Sequence, residues 1–216
     1  MPDRGGGQIQ VEPRPAATVV IARPADEGVE VLVLRRAAGS RFAPGFVVFP
    51  GGVIESQDEP LGARFFGHPQ EAPRACALRE LYEETGLLLT AAGLEARPER
   101  GPIEDLSFDP PPVSDLVEMA RWIAPEFLPV RFDARFFVIA APLEVEPTPD
   151  GIEIDRAWWA RPADVLAASS EGEAPLMWPT MVTLDRLQAC ASVEEVLALR
   201  VEQVPPVAPG PSGGRR

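Results

Sequence analysis

The sequence predicts an α+β domain. Three observations lead there: two β-rich runs near the start, one long helical pattern in the middle, and alternating strand and helix signals after it. Residues 17–22 and 29–34 are rich in β-branched and aliphatic side chains and flank the stretch Arg-Pro-Ala-Asp-Glu-Gly, which reads as a hairpin with a short loop. Residues 46–49 form a further short strand running into Gly51 and Gly52. A helix starts near Pro73, a residue suited to a first turn, and stops at Thr85 before Gly86. Beyond a polar, proline-bearing stretch at 93–112, residues 113–122 are spaced as a helix. Residues 135–141 and 154–159 read as strands, and 162–168, 180–190 and 193–201 as helices. No internal repeat is present.

With 216 residues, 45% of them hydrophobic, the chain can bury one sizeable core. Residues 1–15 and 204–216 are rich in Gly, Pro and polar groups and read as flexible tails around one domain at 16–203. The net charge of -13 argues against a long nucleic-acid partner, because a polyanion needs a basic track. All 20 basic residues are arginine, a compositional bias. Two cysteines make a disulfide framework improbable and favour a reducing compartment. No apolar run approaches the ~20 residues of a membrane span, and the N-terminus does not read as a leader. The expectation is a cytoplasmic protein with no membrane partner.

The most informative run is Arg79-Glu80-Leu81-Tyr82-Glu83-Glu84-Thr85-Gly86-Leu87. At about 3.6 residues per turn, Glu80, Glu83 and Glu84 share one helical face, while Ala77, Leu78, Leu81 and Thr85 share another that can pack inward. Clustered carboxylates repel unless a cation sits between them, and hard oxygen ligands suit Mg²⁺ or Mn²⁺. A charged run alone would read as a solvated helix face. The upstream Phe49-Pro50-Gly51-Gly52, the helix-stopping Gly86 and the apolar Leu87 to Leu89 favour a metal cradle instead, with Cys76 near its face.

This run resembles the box that defines the Nudix family of diphosphate hydrolases: Gly, five residues, Glu, seven residues, then Arg-Glu-apolar-x-Glu-Glu-x-Gly-apolar. The second half matches from Arg79 to Leu87. Counting forward from Gly52 puts the first acid at Asp58, whereas counting back from Arg79 puts it at Glu71, with Phe65 where the glycine should be. The box is therefore split by an insertion at about 57–70, a segment that could form a lid or a dimer contact. The resemblance implies a mixed-sheet α/β/α sandwich, metal held by Glu80, Glu83, Glu84 and the Gly52 carbonyl, and Arg79 organising the carboxylates by ion pairing.

Upstream, Arg36, Arg41, Gly45 and Phe49 to Gly52 fall in register with the motif that accompanies the box in Nudix coenzyme A diphosphatases. Leu34 and Ala37 stand where that motif has hydroxyl residues. Arg36 and Arg41 become candidate phosphate contacts, since a guanidinium matches phosphate bidentately, or else plain surface arginines. Residues 121–125, 131–137 and 179–184 resemble stretches of the subgroup that carries an insertion in the box and includes peroxisomal coenzyme A and acyl-coenzyme A diphosphatases. The implied reaction is metal-dependent cleavage of coenzyme A or acyl-coenzyme A to 3′,5′-ADP and 4′-phosphopantetheine or its acylated form. The candidate general bases are Glu80 and Glu153, the latter just before the strand at 154–159. Hydrolysis of ADP-ribose, NADH or nucleotide sugars is the alternative; a non-catalytic Nudix-fold ligand sensor is the second. The partner is a small nucleotide, and a homodimer stays open. His68, the single histidine, lies in the insertion and reads as a loop residue.

Overall fold

The structure is a computed structural model and describes residues 11–97, 99 and 101–203. A hairpin opens the fold, as the sequence predicts: β1 (Arg14–Pro24) pairs antiparallel with β2 (Val29–Arg36). Two short strands follow, β3 (Val47–Val48) and β4 (Gly51–Val53). Helices α1 (Asp58–Phe66) and α2 (Ala72–Thr85) come next, joined by a short 3-10 turn. The hairpin of β5 (Leu87–Thr90) and β6 (Gly93–Ala96) leads to β7 (Val117–Ile123), β8 (Phe132–Ala140) and β9 (Ile154–Ala160). Helices α3 (Pro162–Ser170), α4 (Trp178–Leu187) and α5 (Val193–Ala198) complete it.

Seven strands form one mixed sheet in the order β3-β2-β1-β8-β7, with β4 on β1 and β9 on β2. Only β1 and β8 run parallel in it; the other pairs are antiparallel. Alternation along the strands splits the core. Val19, Ile21, Leu32 and Leu34 face Leu78, Leu81 and Tyr82 of α2. Val20, Ala22, Val31 and Val33 face Val165, Leu184 and Val196 of α3, α4 and α5. Helices on both faces of a mixed sheet make the expected α/β/α sandwich. Trp158 and Trp159 of β9 divide between the two faces in the same way.

One element reverses its expectation. Residues 113–122 are not a helix but a 3-10 turn followed by β7. Pairing with β8 slips between Glu118 and Ala120, so Met119 and Ala120 are both buried, and with Trp122 they imitate a helical stripe. Other bounds shift: β1 begins at Arg14, inside the expected N-terminal tail, and α5 ends at Ala198. Residues 1–10 and 204–216, the rest of the expected tails, lie outside the described residues. The expected insertion contains α1, which packs on α2, and Leu61 and Phe65 reach the core.

Candidate active site

Helix α2 sets the geometry. Ala77, Leu78, Leu81 and Thr85 are buried against the sheet, which turns Glu80, Glu83 and Glu84 toward β4 and the start of α1. Strand β4 is pinned on β1 by the pairs Gly52 with Ala17 and Gly51 with Thr18. A Cβ at residue 52 would fall 2.2 Å from Glu80 Oε1, and one at residue 51 only 2.4 Å from the Ala17 carbonyl oxygen. Glycine at both positions lets strand and helix close on each other.

Arg79 is the hub. Its Nε donates to Asp58 Oδ1 (2.9 Å) and its Nη2 to Asp58 Oδ2 (3.1 Å), while Nη1 reaches Glu80 Oε1 (2.8 Å) and Glu83 Oε2 (3.1 Å). Both partners of the Asp58–Arg79 fork are buried. Asp58 Oδ2 also accepts from the Glu55 N–H at 2.7 Å, anchoring the start of α1. Of the two acids left open by the spacing, it is Asp58 that meets Arg79; Glu71 turns to Arg74. Burial opposes the charge on Arg79, but the hydrogen bonds to Asp58 and the field of Glu80 outweigh it and hold the guanidinium firmly protonated.

The acids themselves are held toward protonation. Burial, offset in part by Arg79, pushes Glu80 up to about 7. Glu83 is raised for the same first reason. Glu84 is raised well above the carboxylate range by burial and by Glu80, against the Gly51 N–H that donates to its Oε2 at 3.0 Å. Cys76 is buried beside them, its Sγ against the Gly52 and Val53 carbonyls, and burial pushes its thiol up.

Among the described residues no three Asp, Glu, His or Cys side chains converge on one point: Glu80 and Glu83 reach to Arg79, and Glu84 to Gly51. The donor set nevertheless fits a hard divalent cation. It is all oxygen, Glu80 lies against Gly52 while Glu84 accepts from the Gly51 N–H, and burial raises its carboxylates in a way that positive charge would reverse.

The β2 side brings in a second arginine. Arg36 Nε donates to the Phe42 carbonyl (2.9 Å), Nη2 lies 3.4 Å from Glu153 Oε2, and Nη1 lies 4.0 Å from Glu84 Oε1. Glu153 is therefore on the same rim as Glu84, and its carboxylate is exposed. Asp150 places it: Asp150 Oδ1 accepts from the N–H groups of Ile152, Glu153 and Ile154. The sequence reading missed Asp150, for which Asp150-Gly151 was a turn signal. Gly45 adopts φ 77° and its N–H closes on the Arg36 carbonyl at 3.0 Å, which makes it the turn of the β2–β3 loop. Arg41, on that loop, is exposed, and no hydrogen bond or ion pair holds it among the described residues. His68 accepts from the Gln70 N–H, as a loop residue does.

The NUDIX domain model matches residues 12–178, more than half of the chain. The chain belongs to the Nudix family. A putative nudix hydrolase 7 of Caenorhabditis elegans is 28% identical over 84% of this chain and 62% of its own length. The acyl-coenzyme A diphosphatase NUDT19 of Gallus gallus is 25% identical over 77% of this chain and 63% of its own length. The chain thus spans somewhat under two thirds of these curated relatives. The crystal structure of a NUDIX hydrolase from Alicyclobacillus acidocaldarius superposes with a TM-score of 0.72 at 33% identity, covering 88% of this chain and 97% of that one. Within this Nudix fold, no helix among the described residues is long and apolar enough to cross a membrane.

Proposed function

We propose that this Nudix chain is a hydrolase that cleaves the phosphoric anhydride of coenzyme A or acyl-coenzyme A, yielding 3′,5′-ADP and 4′-phosphopantetheine or its acylated form. The observation that carries the chemistry is the cradle in which Glu80 and Glu84 flank the Gly51-Gly52 strand while Arg36 faces Glu84. The register of Arg36, Arg41 and Gly45 and the similarity to the chicken acyl-coenzyme A diphosphatase support the substrate.

Glu80, Glu83, Glu84 and the Gly52 carbonyl are the groups that would hold Mg²⁺ or Mn²⁺. Such a cation would polarise a phosphoryl oxygen, offset charge on the leaving phosphate and acidify a bound water. The chain's own residues do the rest. Arg79 holds Glu80 and Glu83 in place and is braced by Asp58, so its role is to position carboxylates. Arg36 and Arg41 offer guanidinium groups to the substrate phosphates. Water adds to one phosphorus as the bridging P–O bond breaks, the leaving phosphate keeps the electron pair, and the water's proton passes to a carboxylate. Glu153, exposed beside Arg36, and Glu80 are the two candidate bases.

The test is product identification by mass spectrometry after incubation with Mg²⁺ or Mn²⁺ and a panel of coenzyme A, acyl-coenzyme A, ADP-ribose, NADH and nucleotide sugars. Efficient, metal-dependent release of 3′,5′-ADP supports the reading. Selective cleavage of another member replaces the substrate, and no cleavage of any leaves either a substrate outside the panel or a ligand-binding Nudix module. A Glu153→Gln variant that keeps full kcat would assign the base to Glu80.

A further inference from the structure

Six of the nine large apolar side chains exposed among the described residues gather at one end of the sheet: Val11, Phe42, Ile123, Phe127, Leu128 and Val130. They come from three separate segments, and Arg131, itself buried, ties two of them together. Its Nη1 donates to the Val11 carbonyl (2.6 Å), and its Nε donates to the Ala124 carbonyl (3.0 Å) at the start of the β7–β8 turn. The third segment joins through Phe42, whose ring packs edge-on against Phe132 at 5.3 Å. Exposed apolar side chains scattered singly need no explanation, but a contiguous group does.

This group is continuous with the candidate site. The Phe42 carbonyl is the acceptor for Arg36 Nε, and the same guanidinium faces Glu84. The distance also suits a substrate. Phe136 and Gly51 both pair with Thr18, and Phe132 lies four residues up β8, so the apolar end begins ~13 Å from the Gly51 strand. Two exposed arginines border it: Arg41, next to Phe42, and Arg14, paired across β1–β8 with Phe132. Neither side chain has a partner among the described residues. Glu12 and Glu126 are also exposed, beside Val11 and Phe127, so formal charge balances around the patch and its apolar surface is what suits an aliphatic ligand.

We infer that this apolar end, which includes Phe42, Phe127 and Leu128, is an acyl-chain subsite that makes long-chain acyl-coenzyme A a better substrate than coenzyme A itself. The inference rests on the proposed diphosphatase activity and adds to it the part of the substrate beyond the pantetheine arm. Each methylene fully buried on binding is worth roughly a fourfold gain, so even partial burial of a dodecanoyl chain gives a large effect.

The experiment is the ratio of KM for coenzyme A to KM for dodecanoyl-coenzyme A, measured below the micellar concentration with Mg²⁺ present. It is run on the full chain and on Phe127→Asp, Phe42→Ala and, as a remote control, Leu143→Asp. The expected ratio is at least tenfold for the wild type and Leu143→Asp, and falls to within about twofold of unity for Phe127→Asp. A wild-type ratio near one, or a ratio that Phe127→Asp and Phe42→Ala leave intact, overturns the subsite. Sedimentation velocity and vesicle co-sedimentation on the same proteins supply the competing outcomes. A dimer, or binding to anionic phosphatidylserine vesicles, that Phe127→Asp abolishes while the KM ratio stays high assigns the surface to self-association or to a membrane and overturns the proposal. Failure of the diphosphatase reading itself is seen separately, as absence of turnover with every coenzyme A species in the wild type.

Discussion

The acidic rim is held by two arginines in opposite ways. On the α1–α2 side, Arg79 is buried and spends its guanidinium on three carboxylates, two of its donors forked onto Asp58. On the β2 side, Arg36 makes one good hydrogen bond, to a carbonyl, and only long contacts to Glu153 and Glu84. A buried forked pair is costly to break because it strands a charge, whereas a partly solvated, weakly held arginine can exchange its partners at little cost. One side of the site is therefore rigid scaffold, while the other holds its cation loosely, as the proposed phosphate contact requires.

The largest expected effect tests the scaffold. Asp58→Ala leaves Arg79 without its fork and should cost about 3–5 kcal/mol in urea unfolding. A loss below about 1 kcal/mol would show that Glu80 and Glu83 alone satisfy Arg79 and would dissolve the contrast.

The next effect concerns pH. Glu80 titrates at about 7 in the fold, above the ordinary carboxylate value of 4.5, so the folded state binds its proton more tightly than the unfolded chain does. Its contribution to stability is complete below pH 4.5 and is lost as pH rises through about 7, a fall of up to about 3 kcal/mol. Chelator-treated protein should be less resistant to urea at pH 7.5 than at pH 5 by an amount that Glu80→Gln removes. Adding Mg²⁺ should restore stability at pH 7.5. A pH-independent difference between wild type and Glu80→Gln contradicts this.

On the open side, Arg41→Ala should raise KM for coenzyme A by roughly tenfold with little change in kcat, as loss of ground-state phosphate binding does. An unchanged KM removes Arg41 from the site. The smallest effect is Glu71→Ala, which breaks only the partly buried i,i+3 pair with Arg74 and should cost about 1 kcal/mol or less. A cost as large as that of Asp58→Ala would mean that both acids brace the helix.

What could be read from the chain follows the same division. The inward face of α2, the strands of the opening hairpin and the close approach at Gly51 and Gly52 are local patterns, and the fold keeps them. The partner of Arg79 was not legible, because the choice between Asp58 and Glu71 depends on how the inserted segment folds back as α1. Residues 113–122 misled for a local reason, a bulge that puts neighbours Met119 and Ala120 on the buried side. Glu153 was nameable from its place before a strand, but its approach to Arg36 depends on Asp150 gathering three backbone N–H groups. The apolar end could not be seen at all, since its members are scattered from Val11 to Val130 and meet only through the sheet.

Metal-dependent diphosphate cleavage by the acids of α2 is the proposal on which the others depend. Its most direct test is the initial rate of 3′,5′-ADP release from coenzyme A, for wild type and Glu84→Gln at the same Mg²⁺ concentration and with the melting temperature of each recorded. Turnover is expected in the wild type, with a loss on the order of 10²–10³-fold in the variant and the fold retained. Equal turnover in the two proteins would contradict it.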